Sequence, residues 1–400
     1  MARDANPTAA DAPRPLALDD ITVVDASWLL PGQYCSMVLA ELGARVIKIE
    51  LPAGDYSRRW DPHGYAAVNR GKEGLTLNLR LPAAREVLYR LIARADVFLE
   101  GFRPRVMPEL QADYATLSAI QPGLIYCSIS GYGQDGPSRD RPGHGVNYAG
   151  VAGMLTFGGD GVTLAAVMSD LAASVFAAIS ILAAVRDRDR RGRGQYIDLA
   201  ITDATYALMA DRLAGPDDGR AQPMAANGET TLPANRGAFG IFRAGDGELL
   251  TLGAVEDRFW QLLCQAVGRS EWGTDPRYAT DSERRRRGGE IQRLLSEVLA
   301  TRPRSDWLTK FEAAGVPCGP LNSPAGARVD AHAAARELIT QVAQPGVGEV
   351  SHVRFPAVFS ELGRRQGVRA PDVGEHNLAI LEELGYSSAE IAQLRELGAI

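Results

Sequence analysis

The feature that most constrains this chain is an alternation over its first 200 residues, in which short apolar β runs are each followed by a helical pattern. Residues 21–25 read as a strand. Pro31-Gly32 then opens a helix that sets Cys35, Val38, Leu39 and Leu42 on one face, and Gly43 stops it. Residues 46–50 form the next strand and 75–79 a third. Pro82 starts a helix carrying Val87, Leu88, Leu91 and Ala95, and the runs 97–99, 124–129 and 195–199 continue the series. Strands joined by helical crossovers lie parallel, so the pattern predicts an α/β fold, a parallel sheet with helices on both faces. Residues 170–186 read as one Ala-rich apolar helix, closed by a solvated run of mixed charge at 186–191.

The rest of the chain divides by composition. Residues 1–16, rich in Ala, Pro and Asp, read as a loose N-terminal tail, and 17–212 as the large domain. Residues 213–235 are rich in Gly, Pro, Asp and Asn and read as a linker. A smaller unit at 236–330 carries strands near 239–243 and 248–253 and helices near 256–267, 290–301 and 304–314. Residues 331–400 form a C-terminal segment that ends in a capped helical tail. The basic run 284–287 reads as a solvated helix end.

Composition excludes several classes. Hydrophobic residues at 46% with 23% charged fit a soluble globular protein. A net charge of −6 gives no basic field for nucleic acid. No apolar run is expected to reach membrane-spanning length, and the first residues lack the apolar core of a signal peptide. Cys35, Cys127, Cys264 and Cys318 are widely spaced, form no CxxC and share no metal-ligand spacing with His. The first three sit in apolar strings and read as buried thiols, which fits a reducing, cytoplasmic location.

Ser27-Trp28-Leu29-Leu30-Pro31-Gly32 stands where a dinucleotide-binding chain carries GxGxxG, and no Walker loop, HExxH or GxSxG occurs. The chain has 5 histidines. One of them, His144, lies in the Gly-flanked stretch Gly143-His144-Gly145-Val146-Asn147-Tyr148, with Ser169-Asp170-Leu171 further on. Taken alone, such a His is a turn or core residue. A His and an Asp on opposite sides of one carbon, however, can remove a proton from one face and return it on the other.

Further motifs give these residues a context. Gly43 to Glu50 is followed by Pro52 and Gly54-Asp55. Asn69-Arg70-Gly71-Lys72 precedes Leu77-Asn78-Leu79-Arg80, and Phe102-Arg103-Pro104 follows. Ser130-Gly131-Tyr132-Gly133-Gln134, Gly192-Arg193-Gly194-Gln195 and Gly374-Glu375-His376 complete the set. In order and spacing the chain resembles the family III CoA-transferases (the CaiB/BaiF superfamily) from about Leu18 to the C-terminus, and within them the α-methylacyl-CoA racemases. The resemblance implies a Rossmann-like large domain, a smaller α+β domain, and a C-terminal segment that returns to the large domain. It also implies an interlocked homodimer with the active site at the subunit interface. Coenzyme A enters as a substrate thioester; no permanently bound cofactor and no metal are expected, nor a nucleic-acid or membrane partner. The CoA-facing positions it implies are Lys72, Leu77, Asn78, Arg80, Arg103, Arg105, Gly143, Gly145, Asn147 and Tyr148. Cations at loops after strands suit the phosphates of CoA.

The same pocket serves two chemistries in that family. A transferase uses a carboxylate nucleophile that becomes an acyl anhydride and then a CoA thioester, and Asp170 matches it. A racemase uses that Asp as one base, a His as the other and a Glu that orients the His; His144 and Glu256, in Gly253-Ala254-Val255-Glu256, match these. All three side chains are present, so the expectation is a racemase or epimerase at the α-carbon of a 2-methylacyl-CoA-type thioester. CoA transfer between acids and an inactive CoA-binding subunit stay open. Gly145 stands where racemases carry Asp, Leu51 where many carry a basic residue, and Ala172-Ala173-Ser174 where they carry glycines. The stretches 315–320 and 275–278 look more like the transferases.

Overall fold

The computed structural model describes residues 14–157, 162–215, 237–363, 365 and 367–400. Residues 1–13 of the expected tail and 216–235 of the expected linker lie outside them. The described residues form two compact units. One holds residues up to Met154, 162–215 and 334 onward; the other holds 155–157 and 237–333.

The first unit is built on six strands: β1 (Thr22–Asp25), β2 (Arg45–Glu50), β3 (Glu73–Thr76), β4 (Val97–Glu100), β5 (Ile125–Ser130) and β6 (Tyr196–Ala200). All pair in parallel, in the order β3-β2-β1-β4-β5-β6. The apolar runs are continuous because the central strands are covered on both faces: Val23, Val24, Phe98, Leu99 and Ile125 are fully buried. The strand order reverses direction between β1 and β4. There the crossovers leave on opposite sides and open a crevice beyond the carboxyl ends of the strands.

Two elements differ from the sequence expectation. β3 ends at Thr76 instead of running from 75 to 79. The backbone N–H of Asn78 turns away to donate to the carbonyl of Ala399 at 2.8 Å, while Leu77 and Leu79 still bury their side chains. The helix expected at 170–186 extends over Val162–Arg191, so Asp170 sits inside it and not at its start. The mixed-charge run is its last turns, anchored by Arg188, whose guanidinium lies 2.6 Å from Asp96. Ala172, Ala173, Ala177, Ala178, Ile181, Ala184 and Val185 make its buried face, and their small size lets it lie close to the helix Leu29–Glu41. The stretch Leu164–Arg191 holds an 18-residue window with a mean hydropathy of 1.9 and is long and apolar enough to cross a bilayer, which corrects the expectation that no run reaches that length. Here it packs against α/β core, with 39% of that window buried.

The C-terminal segment belongs to the same unit. It adds an antiparallel hairpin of β10 (Ile339–Gln344) and β11 (Gly348–Val353) and the helices Asn377–Glu383 and Ser388–Glu396. Ile380, Leu381, Ile391 and Leu394 join the core on one face of the sheet. The segment also covers the free edge at β3: Gly74 donates to His376 Nδ1, His376 N–H donates to Gly74, and Thr76 N–H donates to Asn377 Oδ1. Ser387 and Glu390 form the capping box that the tail was expected to carry.

The second unit is a three-stranded antiparallel sheet, β7 (Phe239–Arg243), β8 (Leu249–Gly253) and β9 (Cys318–Pro320), in the order β7-β8-β9. Helices Asp257–Ala266, Gly288–Leu299 and Arg304–Ala314 enclose a core of Trp260, Leu263, Leu295, Trp307 and Phe311. Arg284 corrects the reading of a solvated basic run. It is 1% exposed, donates to the carbonyls of Tyr278 and Val255, and lies 2.5 Å from Asp257.

Candidate active site

The crevice beyond β1 and β4 is a cavity of about 270 Å³. Its walls come from the segments that leave four strands: Trp28 to Gly32 after β1, Gly101 to Pro104 after β4, Ser130 and Gly131 at the end of β5, and Ile201 after β6. The remaining wall is the stretch from Arg139 to Tyr148, with Asp170 across from it. The fold thus collects polar groups at the place where open α/β sheets bind ligands.

The β1 exit is held by a fully buried network. Asp25 accepts from the Ser27 N–H at 2.9 Å and from Ser36 Oγ at 2.6 Å, and Lys72 Nζ lies 3.1 Å from it. Lys48 Nζ donates to the Ser27 carbonyl. Burial raises the Asp25 pKa, but the charges of Lys72 and Lys48 and the two serine hydroxyls outweigh it and hold the group below its usual value. Lys72 is pulled down to about 8 by burial, against the opposing charge of Asp25. Its ammonium also donates to Asn69 Oδ1 and to the Gln33 carbonyl. These three acceptors and its 4% exposure tie Lys72 into the buried network that fixes the turn from which Trp28 and Leu29 reach the cavity. Leu29 takes a left-handed backbone, φ 65°, a strained choice for a branched residue.

His144 stands at the start of the helix Gly145–Val151, in extended backbone. Asn147 locks this turn: its Oδ1 accepts from the His144 N–H at 2.9 Å, and its own N–H donates to the His144 carbonyl. The imidazole is left exposed on the cavity wall. Tyr148 donates to the Gly143 carbonyl at 2.7 Å. Its ring lies between Gly131 and Gly143, where an added Cβ would come within 2.6 and 2.7 Å of it.

Gly145 explains how the His144 turn is held against the helix that carries Asp170. An added Cβ at this position would sit 2.3 Å from the carbonyl oxygen of Ala166. The two helices therefore touch through bare backbone. Ala166 and Asp170 are one turn apart on the same face of the long helix, so the contact brings the His144 turn alongside the carboxylate. Asp170 is half-buried, and burial alone raises its pKa to about 7. Tyr148 is pushed up to about 12, first by burial and then by the charge of Asp170.

Of the sequence-predicted residues the cavity collects Arg103, Gly143, His144, Gly145, Tyr148 and Asp170. Asn147 supports the turn from outside. Leu77 is core, 2% exposed, and Asn78 binds its own loop through Arg80 N–H. Arg80 is exposed away from this wall. Arg105, at φ 80°, is exposed and lies 3.1 Å from Asp140. Glu256 belongs to the second unit. It is exposed at the start of the helix Asp257–Ala266, its carbonyl accepts from Trp260 N–H, and buried Arg284 grips the backbone beside it. Arg139 and Arg141 line the cavity without having been singled out in the sequence. Among the described residues no group of three or more His, Cys, Asp or Glu is placed to hold a metal ion.

The succinyl-CoA–D-citramalate CoA-transferase of Chloroflexus aurantiacus is 31% identical over 96% of this chain and 97% of its own length. The succinyl-CoA:glutarate CoA-transferase of Mus musculus is 31% identical over 96% and 90%. The alpha-methylacyl-CoA racemase of Homo sapiens is also 31% identical, over 95% and 96%. Among solved structures, a CAIB/BAIF family protein from Brucella suis superposes with a TM-score of 0.81 at 30% identity, covering 93% of this chain and all of that one. Residues 18–377 match CoA-transferase family III, whose members act on CoA thioesters, and the chain belongs to that family.

Proposed function

We propose that the protein is an acyl-CoA racemase or epimerase acting at the α-carbon of a 2-methylacyl-type thioester. The observation that carries this reading is the pairing, in one cavity, of an exposed imidazole with a half-buried carboxyl poised at about 7. A base of that pKa takes a weakly acidic proton at neutral pH far better than an ordinary aspartate does. Asp170 removes the α-proton, the C–H electron pair moves into the thioester carbonyl, and an enolate forms. The imidazolium of His144 returns a proton to the opposite face. In the reverse direction the roles exchange, so the two enantiomers are handled by complementary protonation states of one pair. The Gly145 N–H, at the helix start, is a donor for the enolate oxygen. Glu256 of the partner subunit orients the imidazole, which makes the homodimer part of the site. The four free cysteines, three of them buried, fit a cytoplasmic location.

CoA transfer between acids is the second reading. It is favoured by the relatives named as CoA-transferases and by three arginines in the cavity, which suit an incoming carboxylate. Mass spectrometry of the protein after incubation with acyl-CoA and a free acid separates the two. α-Proton exchange without an adduct supports the racemase. A CoA or acyl adduct on Asp170 that turns over with added acid contradicts it.

A further inference from the structure

A second, small cavity of about 20 Å³ lies at the amino ends of β2 and β3, the reverse of the end that carries the crevice. Its walls include Glu41 from the helix Leu29–Glu41, Arg70 from the segment before β3, and His352, Arg354 and Arg365 from the C-terminal segment. His352, on β11, is 5% exposed, and both its ring nitrogens are buried with no hydrogen-bond partner in the protein. Burial, and then the charge of Arg70, lowers its pKa to about 4, so the ring is neutral and offers one N–H. Glu41 is the one carboxylate among the lining residues, and Arg70 takes it up: Oε1 lies 2.7 Å from the guanidinium. Arg365 has no carboxylate partner among the described residues. It donates to the carbonyls of Gly43 at 3.1 Å and Ala44 at 3.2 Å, which satisfy N–H groups without neutralising the charge. The cavity thus combines surplus positive charge with a buried unmatched donor, and a bound anion removes both costs.

We propose that this cavity binds one small anion of halide size, held by the His352 N–H between the guanidinium groups of Arg70 and Arg365. Size sets the class. A volume of about 20 Å³ takes one water-sized particle, which chloride approximates and phosphate or sulfate exceeds. Water alone bridges to the ring but leaves the partly buried charge of Arg365 uncompensated. The anion joins stretches far apart in the chain. It staples the returning C-terminal segment to the sheet beside Arg70, which already donates to the Val353 carbonyl at 2.6 Å. The site stands apart from the crevice and is the same for either chemistry there.

The test pairs melting of the intact protein with bromide diffraction. At equal ionic strength, replacing gluconate, which is too large for the cavity, by chloride is expected to raise Tm saturably, by at least roughly 3 °C once chloride is far above its Kd. The nitrogens of His352 make no bond within the protein, so His352→Phe is expected to fold and to lose the rise. Arg365→Gln is expected to lose it too. Each variant is scored by the difference between the two salts, so a change in its own stability cancels. In crystals soaked in bromide, an anomalous peak is expected beside the His352 ring in the wild type and in neither variant. Equal Tm in chloride and gluconate overturns the proposal. So does a rise that persists in His352→Phe, which places the chloride elsewhere, and so does a cavity that holds water alone in bromide. A bromide peak without the chloride rise marks an adventitious ion only and overturns it as well.

Discussion

At the scale of single residues, the account rests on Asp170. Its carboxyl ionises near 7 in the fold against a usual 3.8. Between those values the folded state holds a proton that the unfolded state has lost, so stability falls as pH rises from about 4 to about 7 and levels off above. Asp170→Asn removes that slope. The variant is expected to melt higher than the wild type at pH 8, with the gain vanishing near pH 4; a difference independent of pH would count against a raised pKa. The same substitution is expected to lower turnover at least roughly 10²-fold, the scale of a lost acid–base group. In the direction where Asp170 is the base, kcat/KM is expected to fall as pH drops below about 7. A flat profile down to pH 5 would exclude it. That His144, Asp170 and Arg103 line one cavity was an expectation of the family resemblance. For Lys72 the sequence shows a cation near a strand end but not the buried Asp25 that pairs with it. Arg139 and Arg141 were passed over because nothing in their spacing marks which loop folds over the crevice.

At the scale of elements, Gly145 is the joint. The helix Gly145–Val151 touches the helix Val162–Arg191 at a point with no room for a side chain. The resemblance to racemases implies Asp there, which invites the expectation that Gly145→Asp improves the enzyme. The structure predicts the reverse. Both Gly145→Ala and Gly145→Asp are expected to cost about 2 kcal/mol or more, through overpacking against backbone that cannot give way. Both are also expected to lose most activity, because His144 is pushed off Asp170. Denaturant unfolding checks the first claim, and a Gly145→Asp variant as stable and active as the wild type would refute the account of this contact. Strands were legible in the sequence because central parallel strands are apolar throughout. The start of the long helix was not: residues 162–169 are largely apolar but carry no cap or stop that marks a boundary, and packing against the two neighbouring helices shows that the helix precedes Asp170.

At the scale of the whole molecule, the sheet order places the cavity at the topological switch point, and the C-terminal segment seals the far edge of the same sheet. The α/β class followed from the alternation of elements. The return of residues 339–400 to the first unit did not, because long-range pairing leaves no local signature; it came from the family resemblance. The long helix carries an apolar stripe of Leu164, Val167, Met168, Val175 and Ile179 that is exposed in the single chain. It supports the proposed homodimer, which is expected to bury well above ~2,000 Å²; sedimentation showing a stable monomer at micromolar concentration would contradict it. The central claim is that Asp170 and His144 serve opposite faces of one carbon. It is tested most directly by following a resolved 2-methylacyl-CoA in deuterated water with wild type and with His144→Ala. The account predicts that the wild type exchanges the α-proton and inverts the centre, whereas His144→Ala exchanges the proton of one enantiomer only and inverts neither. Inversion by His144→Ala at a rate near that of the wild type would contradict it.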